Sequence, residues 1–315
     1  MAHHEDGVER IPLEVTARAA AAPVPGAAKK QKPSAVEYAF DPAILAAEDK
    51  LALSDKHAGV FLCEGDSLAA LDRIIERHPD GVFDAIFADP PYFLSNGGMT
   101  CKSGRMAKVD KGAWDKSRGA EGNHEFNREW LRRCQQALKP DGTIWISGTQ
   151  HVIFSVGFAL QQLGFKLLNN IAWEKPNPPP NLSCRYFTHS TETILWAAKN
   201  ERSKHVFQYA AMREANGGRQ MKSVWRIKAP SGAEKSHGRH PTQKPLELIE
   251  RCLLASTNPG DLVLDPFLGS GTTGVAAARL GRKFVGIEMN AAYLETARKR
   301  LVDEISKTGF RFPKT

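Results

Sequence analysis

The sequence predicts an α/β fold, a doubly wound and mostly parallel sheet, and three observations carry that reading. Short apolar runs such as Phe83–Ala88 and Thr143–Ser147 lack a polar face, as strands covered on both sides do. Between them lie segments whose apolar residues recur at helical spacing, so the chain alternates β-α-β. Finally, the runs ending at Ala88, Leu264 and Ile287 are each followed by an acidic residue, Asp89, Asp265 and Glu288. Open α/β sheets bind ligands at such carboxyl ends.

Taken in order, residues 1 to about 37 mix Ala, Pro, Lys and Glu, the composition of a disordered arm, which leaves 38–315 as the folded domain. Gly59–Cys63 reads as a strand, and Gly65-Asp66-Ser67 opens a helix with Leu68, Leu71, Ile74 and Ile75 on one face. Asp66 suits a helix cap and, at a strand-to-helix turn, also a ligand contact. After Phe83–Ala88 and Asp89-Pro90-Pro91-Tyr92, the stretch of about 94–122 is rich in Lys and Gly without periodicity, as a mobile loop would be. A helix near 124–138 ends at the turn Lys139-Pro140-Asp141-Gly142, the strand Thr143–Ser147 follows, and a helix over Val152–Leu163 leads into a strand over Lys166–Trp173.

The prolines of Lys175-Pro176-Asn177-Pro178-Pro179-Pro180-Asn181 exclude a central strand or a helix interior, so an insertion of about 176–240 begins there, with one strand at Thr191–Ala198. His240-Pro241-Thr242-Gln243-Lys244-Pro245 precedes a helix carrying Leu246, Ile249, Leu253 and Leu254, with Pro245 in its tolerant first turn. The strand Asp261–Asp265, the turn Pro266–Gly274 with a helix through Leu280, the strand Lys283–Ile287 and the helix Ala291–Ile305 complete the chain.

The 315 residues are an ordinary globular composition with no membrane-length apolar run and no secretory leader, which points to the cytoplasm. Five scattered cysteines, none in a C-x-x-C pair, indicate neither a zinc site nor a disulfide framework. The net charge of +8 is unevenly spread: 176–240 holds 11 Lys/Arg against 4 Asp/Glu, and 97–123 holds 6 against 3. Basic segments interleaved with Tyr186, Phe187 and Trp225 read as a nucleic-acid surface, the plain alternative being a solvated basic face. Arg185, Tyr186, His189, Lys222 and Arg226 are the candidate contacts.

Two motifs carry chemistry. In Asp89-Pro90-Pro91-Tyr92, two prolines stiffen the turn and remove two donors, leaving a carboxylate, a carbonyl and a ring. Those groups suit an exocyclic base amine, whose delocalised lone pair two acceptors would draw out while the ring stacks on the base. A Pro-Pro turn with a buried Tyr is the structural alternative. The second motif runs from Asp265 through Pro266-Phe267-Leu268-Gly269-Ser270-Gly271-Thr272-Thr273-Gly274 to Glu288, 23 residues after Asp265. Strand, glycine turn, helix, strand and acid is the nucleotide-fold fingerprint, with the acid on ribose hydroxyls. Asp265 disfavours a pyrophosphate and suits a cationic cofactor, S-adenosylmethionine; a glycine turn of purely structural use stays open.

Together these motifs, with His240–Pro245 between them, resemble the β-class amino-methyltransferases of bacterial DNA over residues 59 to about 303. Phe93–Gly98 and Asn181–Thr193 are most similar to the second adenine methyltransferase of DpnII-type restriction systems, and less so to the GANTC enzymes, which carry an extra C-terminal module. The resemblance implies a circularly permuted Rossmann-like fold. It assigns Asp89, Pro90, Pro91 and Tyr92 to the target amine, with Asp89 touching the cofactor as well, Thr242 and Lys244 to the methionine end of the cofactor, and Gly269, Ser270, Gly271 and Thr272 to its backbone turn. Asp265, Pro266 and Phe267 join that turn, Glu288 takes the ribose and Asp66 the adenine. It further implies adenine N6 as target, a short site such as GATC, and action on single-stranded as well as duplex DNA by base flipping. Cytosine N4, RNA and a non-catalytic DNA-binding role remain the alternatives, and a homodimer and a cognate endonuclease are open as partners.

Overall fold

The computed structural model describes residues 40–46, 50–95, 99–102, 105–108, 115–238 and 240–309. The arm expected over 1–37 and much of the loop expected over 94–122 lie outside them.

The strands are β1 (Lys50–Asp55), β2 (Val60–Glu64), β3 (Phe83–Ala88), β4 (Met99–Lys102), β5 (Arg105–Lys108), β6 (Leu138–Gly148), β7 (Lys166–Glu174), β8 (Thr191–Ala198), β9 (Val224–Arg226), β10 (Leu262–Asp265) and β11 (Lys283–Glu288). β4 and β5 pair only with each other, and the other nine form one sheet in the order β1-β2-β11-β10-β3-β6-β8-β7-β9. From β2 to β6 the ladders are parallel; β1 and β8 run against their neighbours, and β9 again lies parallel to β7. The carboxyl ends of β11, β10, β3 and β6 therefore open on one rim.

Helices cover both faces. On one side α2 (Ser67–Arg77), α3 (Gly119–Ala137) and α4 (Ile153–Gln162) bury Leu71, Ile74, Trp130, Leu131 and Val156 against Ile86 and Ile144. On the other, α6 (Leu246–Ser256), α7 (Thr272–Arg279) and α8 (Ala291–Thr308) bury Ile249, Leu253, Val275 and Leu301 against Ala85 and Phe87. Successive strand residues thus serve opposite cores, and this explains why the strands lack a polar face. Two shorter helices, α1 (Ala43–Ala46) and α5 (Tyr209–Ala215), lie at the periphery.

Several expectations need correction. β1 has no counterpart in the sequence reading; it is a partly exposed edge strand whose pairing with β2 decides its conformation. Lys139–Gly142 is not a separate turn but lies inside β6, where the β3 ladder skips from Phe83↔Leu138 to Ala85↔Thr143. A Cβ at Gly142 would sit 2.9 Å from the Phe83 carbonyl, so the irregularity requires glycine. The helix expected from 124 begins at Gly119. Pro245 precedes α6 in an extended conformation, ψ 141°, rather than occupying its first turn. Residues 176–240 supply two strands of the main sheet, β8 and β9. Trp225 on β9 is 5 % exposed, packs 6.1 Å from Trp145 and is covered by Arg251, so it belongs to the core and not to a basic surface.

Candidate active site

Asp89 leaves the carboxyl end of β3 at the middle of the sheet. One of its oxygens accepts from the Tyr92 hydroxyl at 2.7 Å and the Ser147 hydroxyl at 2.6 Å; the other accepts from Lys244 Nζ at 2.6 Å. Ser147 arrives from the end of the adjacent β6 and Lys244 from the segment before α6, so three remote pieces of chain converge on one carboxylate. Burial pushes the Asp89 carboxyl up, but the Lys244 charge and the three hydrogen bonds outweigh it and hold the group below its ordinary value. Lys244 stays charged for the reciprocal reason: desolvation opposes its proton, and Asp89 and Glu192 retain it. Tyr92 is raised well above the ordinary phenol by burial and the charges of Asp89 and Glu192, which keeps it a donor.

The turn beyond Tyr92 is tied down by Asp115, which is fully buried. Its carboxylate accepts from the Tyr92 amide at 2.9 Å, the Leu94 amide at 3.1 Å and the Ser95 hydroxyl at 2.8 Å. Between those amides Phe93 adopts φ 57°, a conformation costly for a side chain with a Cβ. The Asp115 bonds hold both flanking amides and so compensate for it.

The glycine turn closes the other end. Gly269 and Gly271 have φ 53° and 78°; a Cβ on Gly269 would meet the His240 ring at 3.2 Å, and one on Gly271 would meet Ala297 at 2.7 Å. Asp265 accepts from the Thr273 hydroxyl at 2.6 Å and the Phe267 amide at 3.0 Å. Burial nevertheless lifts its pKa to about 7, with Asp89 and Glu288 adding to the rise. Glu288 accepts from the Gly269 amide at 2.8 Å and the Asn290 amide at 2.8 Å, so one acid spans the turn and the start of α8. Arg300, buried on α8, donates to the Ser270 carbonyl at 2.6 Å and the Thr272 hydroxyl at 3.0 Å and braces the turn from behind.

One cleft along this rim is lined by Asp66, Asp89, Pro90, Pro91, Tyr92, Thr242, Lys244, Asp265, Pro266, Phe267, Gly269, Ser270, Thr272 and Glu288, which brings together all but one of the residues expected at a cofactor and a target amine. The exception is Gly271, which faces α8 and is required by packing there. Asp66 also caps α2, accepting from the Leu68 and Ala69 amides at 3.0 and 2.9 Å. A second cleft meets the first at Tyr92, Thr242 and Lys244 and is walled by Thr149, Trp173, Lys175, Pro176 and Glu192. Arg185, Tyr186, His189, Lys222 and Arg226 line neither; all five are exposed, on the 181–190 loop and around β9.

Sequence reasoning missed Ser147, Glu192, Asp115 and Arg300. Ser147 had a usable signal, its position at a strand's carboxyl end. The others had none, because their partners lie 20 or more residues away in sequence: Asp115 to Ser95, Glu192 to Tyr92, Arg300 to Ser270.

A cleft with a buried carboxylate at a glycine turn, joined to a second cleft at Tyr92 and Lys244, the partners of Asp89, suits group transfer between two bound molecules. The family model described as DNA methylase matches residues 83–299, a span that includes both motifs. The chain belongs to the DNA methylase family. It is 60 % identical over 222 residues to the type II methyltransferase M2.DpnII of Streptococcus pneumoniae, covering 70 % of this chain and 83 % of that one. To the type II methyltransferase M2.LlaDCHI of Lactococcus lactis subsp. cremoris it is 57 % identical over 242 residues, 76 % and 88 % of the two chains. Among solved structures, the M1.HpyAVI-SAM complex superposes with a TM-score of 0.60 at 31 % identity, over 77 % of this chain and 98 % of that one. The cytosine-N4-specific PvuII DNA methyltransferase superposes with a TM-score of 0.61 at 22 % identity and shares the fold, covering 80 % of this chain and 90 % of that one.

The methylase is thus a DNA methyltransferase that uses S-adenosylmethionine. The first cleft fits that cofactor on its own chemistry: among the described residues the buried Asp265 carboxylate has no cation at hydrogen-bonding distance, and Glu288 presents a carboxylate beside the glycine turn. Among the described residues no helix is long and apolar enough to cross a membrane, and no cluster of potential metal ligands occurs.

Proposed function

We propose that the enzyme methylates the N6 amine of adenine in a short DNA site such as GATC, on single strands as well as duplexes. The observation that carries this is the Asp89 carboxylate of the first cleft, held by Tyr92 and Lys244, residues at which the second cleft meets the first. Of about four lone-pair positions on a carboxylate, three are filled by Tyr92, Ser147 and Lys244, which leaves one for an incoming amine hydrogen.

Thr242, Lys244, Asp265, the turn from Pro266 to Thr272, Glu288 and Asp66 hold the cofactor, which supplies an electrophilic methyl on sulfur. Asp89 and the Pro90 carbonyl each accept one amine hydrogen, so the nitrogen lone pair is freed toward that methyl. Lys244 keeps Asp89 ionised, and an acceptor this acidic orients the amine without holding its proton for long. The proton released after transfer meets the remaining Asp89 lone pair first and passes to solvent. Tyr92 combines two tasks: its ring faces the base, and its hydroxyl fixes the Asp89 oxygen it touches.

The base reaches this pocket only when rotated out of a duplex, a step a single strand avoids. DNA contact falls to the basic stretches 97–123 and 176–240, with Arg185, Tyr186, His189, Lys222 and Arg226 in the second. Similarity to type II methyltransferases supports a cognate endonuclease in the same system; a cytoplasmic homodimer completes the reading. The test is to methylate oligonucleotides with a GATC site, single-stranded and duplex, and to digest them to nucleosides. N6-methyldeoxyadenosine from both is expected; N4-methyldeoxycytidine, or transfer to RNA alone, would replace this reading.

A further inference from the structure

Among the described residues, two buried side-chain polar atoms that find no hydrogen-bond partner, Thr149 Oγ1 and Gln243 Oε1, belong to residues bordering the second cleft. An orphaned buried polar atom is costly, so one at the wall of a binding cleft points to a ligand group that completes it. The amide oxygen of Gln243 can only accept, and Gln243 also borders the cofactor cleft. The Thr149 hydroxyl can donate, and Thr149 borders the second cleft alone.

Its position follows from the sheet. Thr149 lies one residue past the end of β6 and two beyond Ser147, whose hydroxyl donates to Asp89, in a turn where its carbonyl accepts from the Val152 and Ile153 amides. The β6–β8 ladder pairs Ser147 with Ile194 and ends with Gly148 on Thr193, so Thr149 leaves the sheet next to the end of that ladder; Glu192, the neighbour of Thr193, pairs with Trp173 of β7. Thr149, Glu192 and Trp173 all wall the second cleft. Glu192 is already engaged by Lys175, whose ammonium also lies 4.8 Å from the Trp173 ring centroid, and it sits 3.9 Å from Lys244. That wall offers a carboxylate neutralised by lysine and one unused donor.

We propose that Thr149 positions the target base: its hydroxyl donates to one of the two adenine ring nitrogens nearest the amine that Asp89 grips. This rests on the reading that adenine N6 is the target. In adenine both ring positions nearest the amine in space, N1 and N7, are acceptors. In cytosine one is an acceptor, N3, and the other is a C–H. A donor on the N7 side therefore separates adenine from cytosine, and one on the N1 side, which cytosine N3 would also satisfy, fixes the orientation of the ring for methyl transfer.

The experiment compares wild type with Thr149→Val, which keeps shape and loses the hydroxyl, and with Thr149→Ser, which restores it. Substrates are oligonucleotides carrying adenine, 1-deazaadenine or 7-deazaadenine at the target position, read as kcat/KM. Thr149→Val should lose on the order of ten- to a hundredfold on adenine, the size expected when one hydrogen bond to a buried partner disappears. Thr149→Ser should recover most of it. One of the two deaza bases should cost wild type a similar factor and cost Thr149→Val little more, since the bond is already gone. The melting temperature of free Thr149→Val should be unchanged or higher, because the orphan hydroxyl is removed; a residue kept for structure would show the opposite. Equal kcat/KM for wild type and Thr149→Val, or full additivity of the variant with both deaza bases, overturns the proposal. No transfer to adenine by wild type would instead refute the adenine reading itself.

Discussion

Asp265 gives the sharpest test of how the cofactor cleft works. Its carboxyl is buried, receives hydrogen bonds from Thr273 and the Phe267 amide, and still titrates at about 7. The proton should therefore leave when a cofactor bearing an ammonium and a sulfonium enters, and binding should weaken as pH falls through 7. At pH 6 roughly nine-tenths of the free enzyme would carry the proton and at pH 8 about one-tenth, so the apparent Kd should rise about tenfold from pH 8 to pH 6. Titration calorimetry at pH 7 in buffers of different ionisation enthalpy should detect about half a proton released per cofactor bound. Asp265→Asn should bind more weakly at pH 8 and lose the dependence. A group whose pKa rises from 3.8 to about 7 on folding costs the free protein stability between those values, by about 4 kcal/mol once pH exceeds 7. Free Asp265→Asn should accordingly unfold at higher denaturant than wild type at pH 8 and be level with it below pH 4. A flat Kd between pH 6 and 8, with a free Asp265→Asn no more stable than wild type, would refute the argument.

Three other outcomes are expected. Asp89→Ala should reduce single-turnover transfer by about a hundredfold or more while cofactor affinity stays within a few-fold, since the carboxylate acts on the amine; activity at a tenth of wild type would remove it from that role. Tyr92→Phe should cost about 1–2 kcal/mol in the transfer step, because the hydroxyl donates to Asp89, and Tyr92→Ala more, because stacking goes as well; equal losses would place the ring outside the base pocket. Lys222→Ala with Arg226→Ala should lower the salt slope of duplex binding by about 0.9 for each phosphate no longer neutralised, and an unchanged slope would put the DNA elsewhere.

Much of this protein is determined by local pattern. The stretches Ala85–Ala88 of β3 and Phe284–Ile287 of β11 are apolar because both faces meet helices, and that pattern alone places Asp89, Asp265 and Glu288 at carboxyl ends. Pro-Pro and Gly-Ser-Gly restrict or free the backbone whatever surrounds them, so both motif turns were legible. Tertiary structure decided what these residues touch. The Lys244 ammonium lies on Asp89 from 155 residues away, and Ser147 from 58, which converts a carboxylate that burial would protonate into one that stays charged. It decided that Trp225 is core, since an aromatic among lysines looks the same in sequence whether its strand is covered or bare. It also made the Tyr92 hydroxyl a working group: sequence offers a ring for stacking, and only the turn held by Asp115 aims the oxygen at Asp89. Pairings between distant segments depend on how the sheet orders its strands, and that order is settled by the packing of the whole chain.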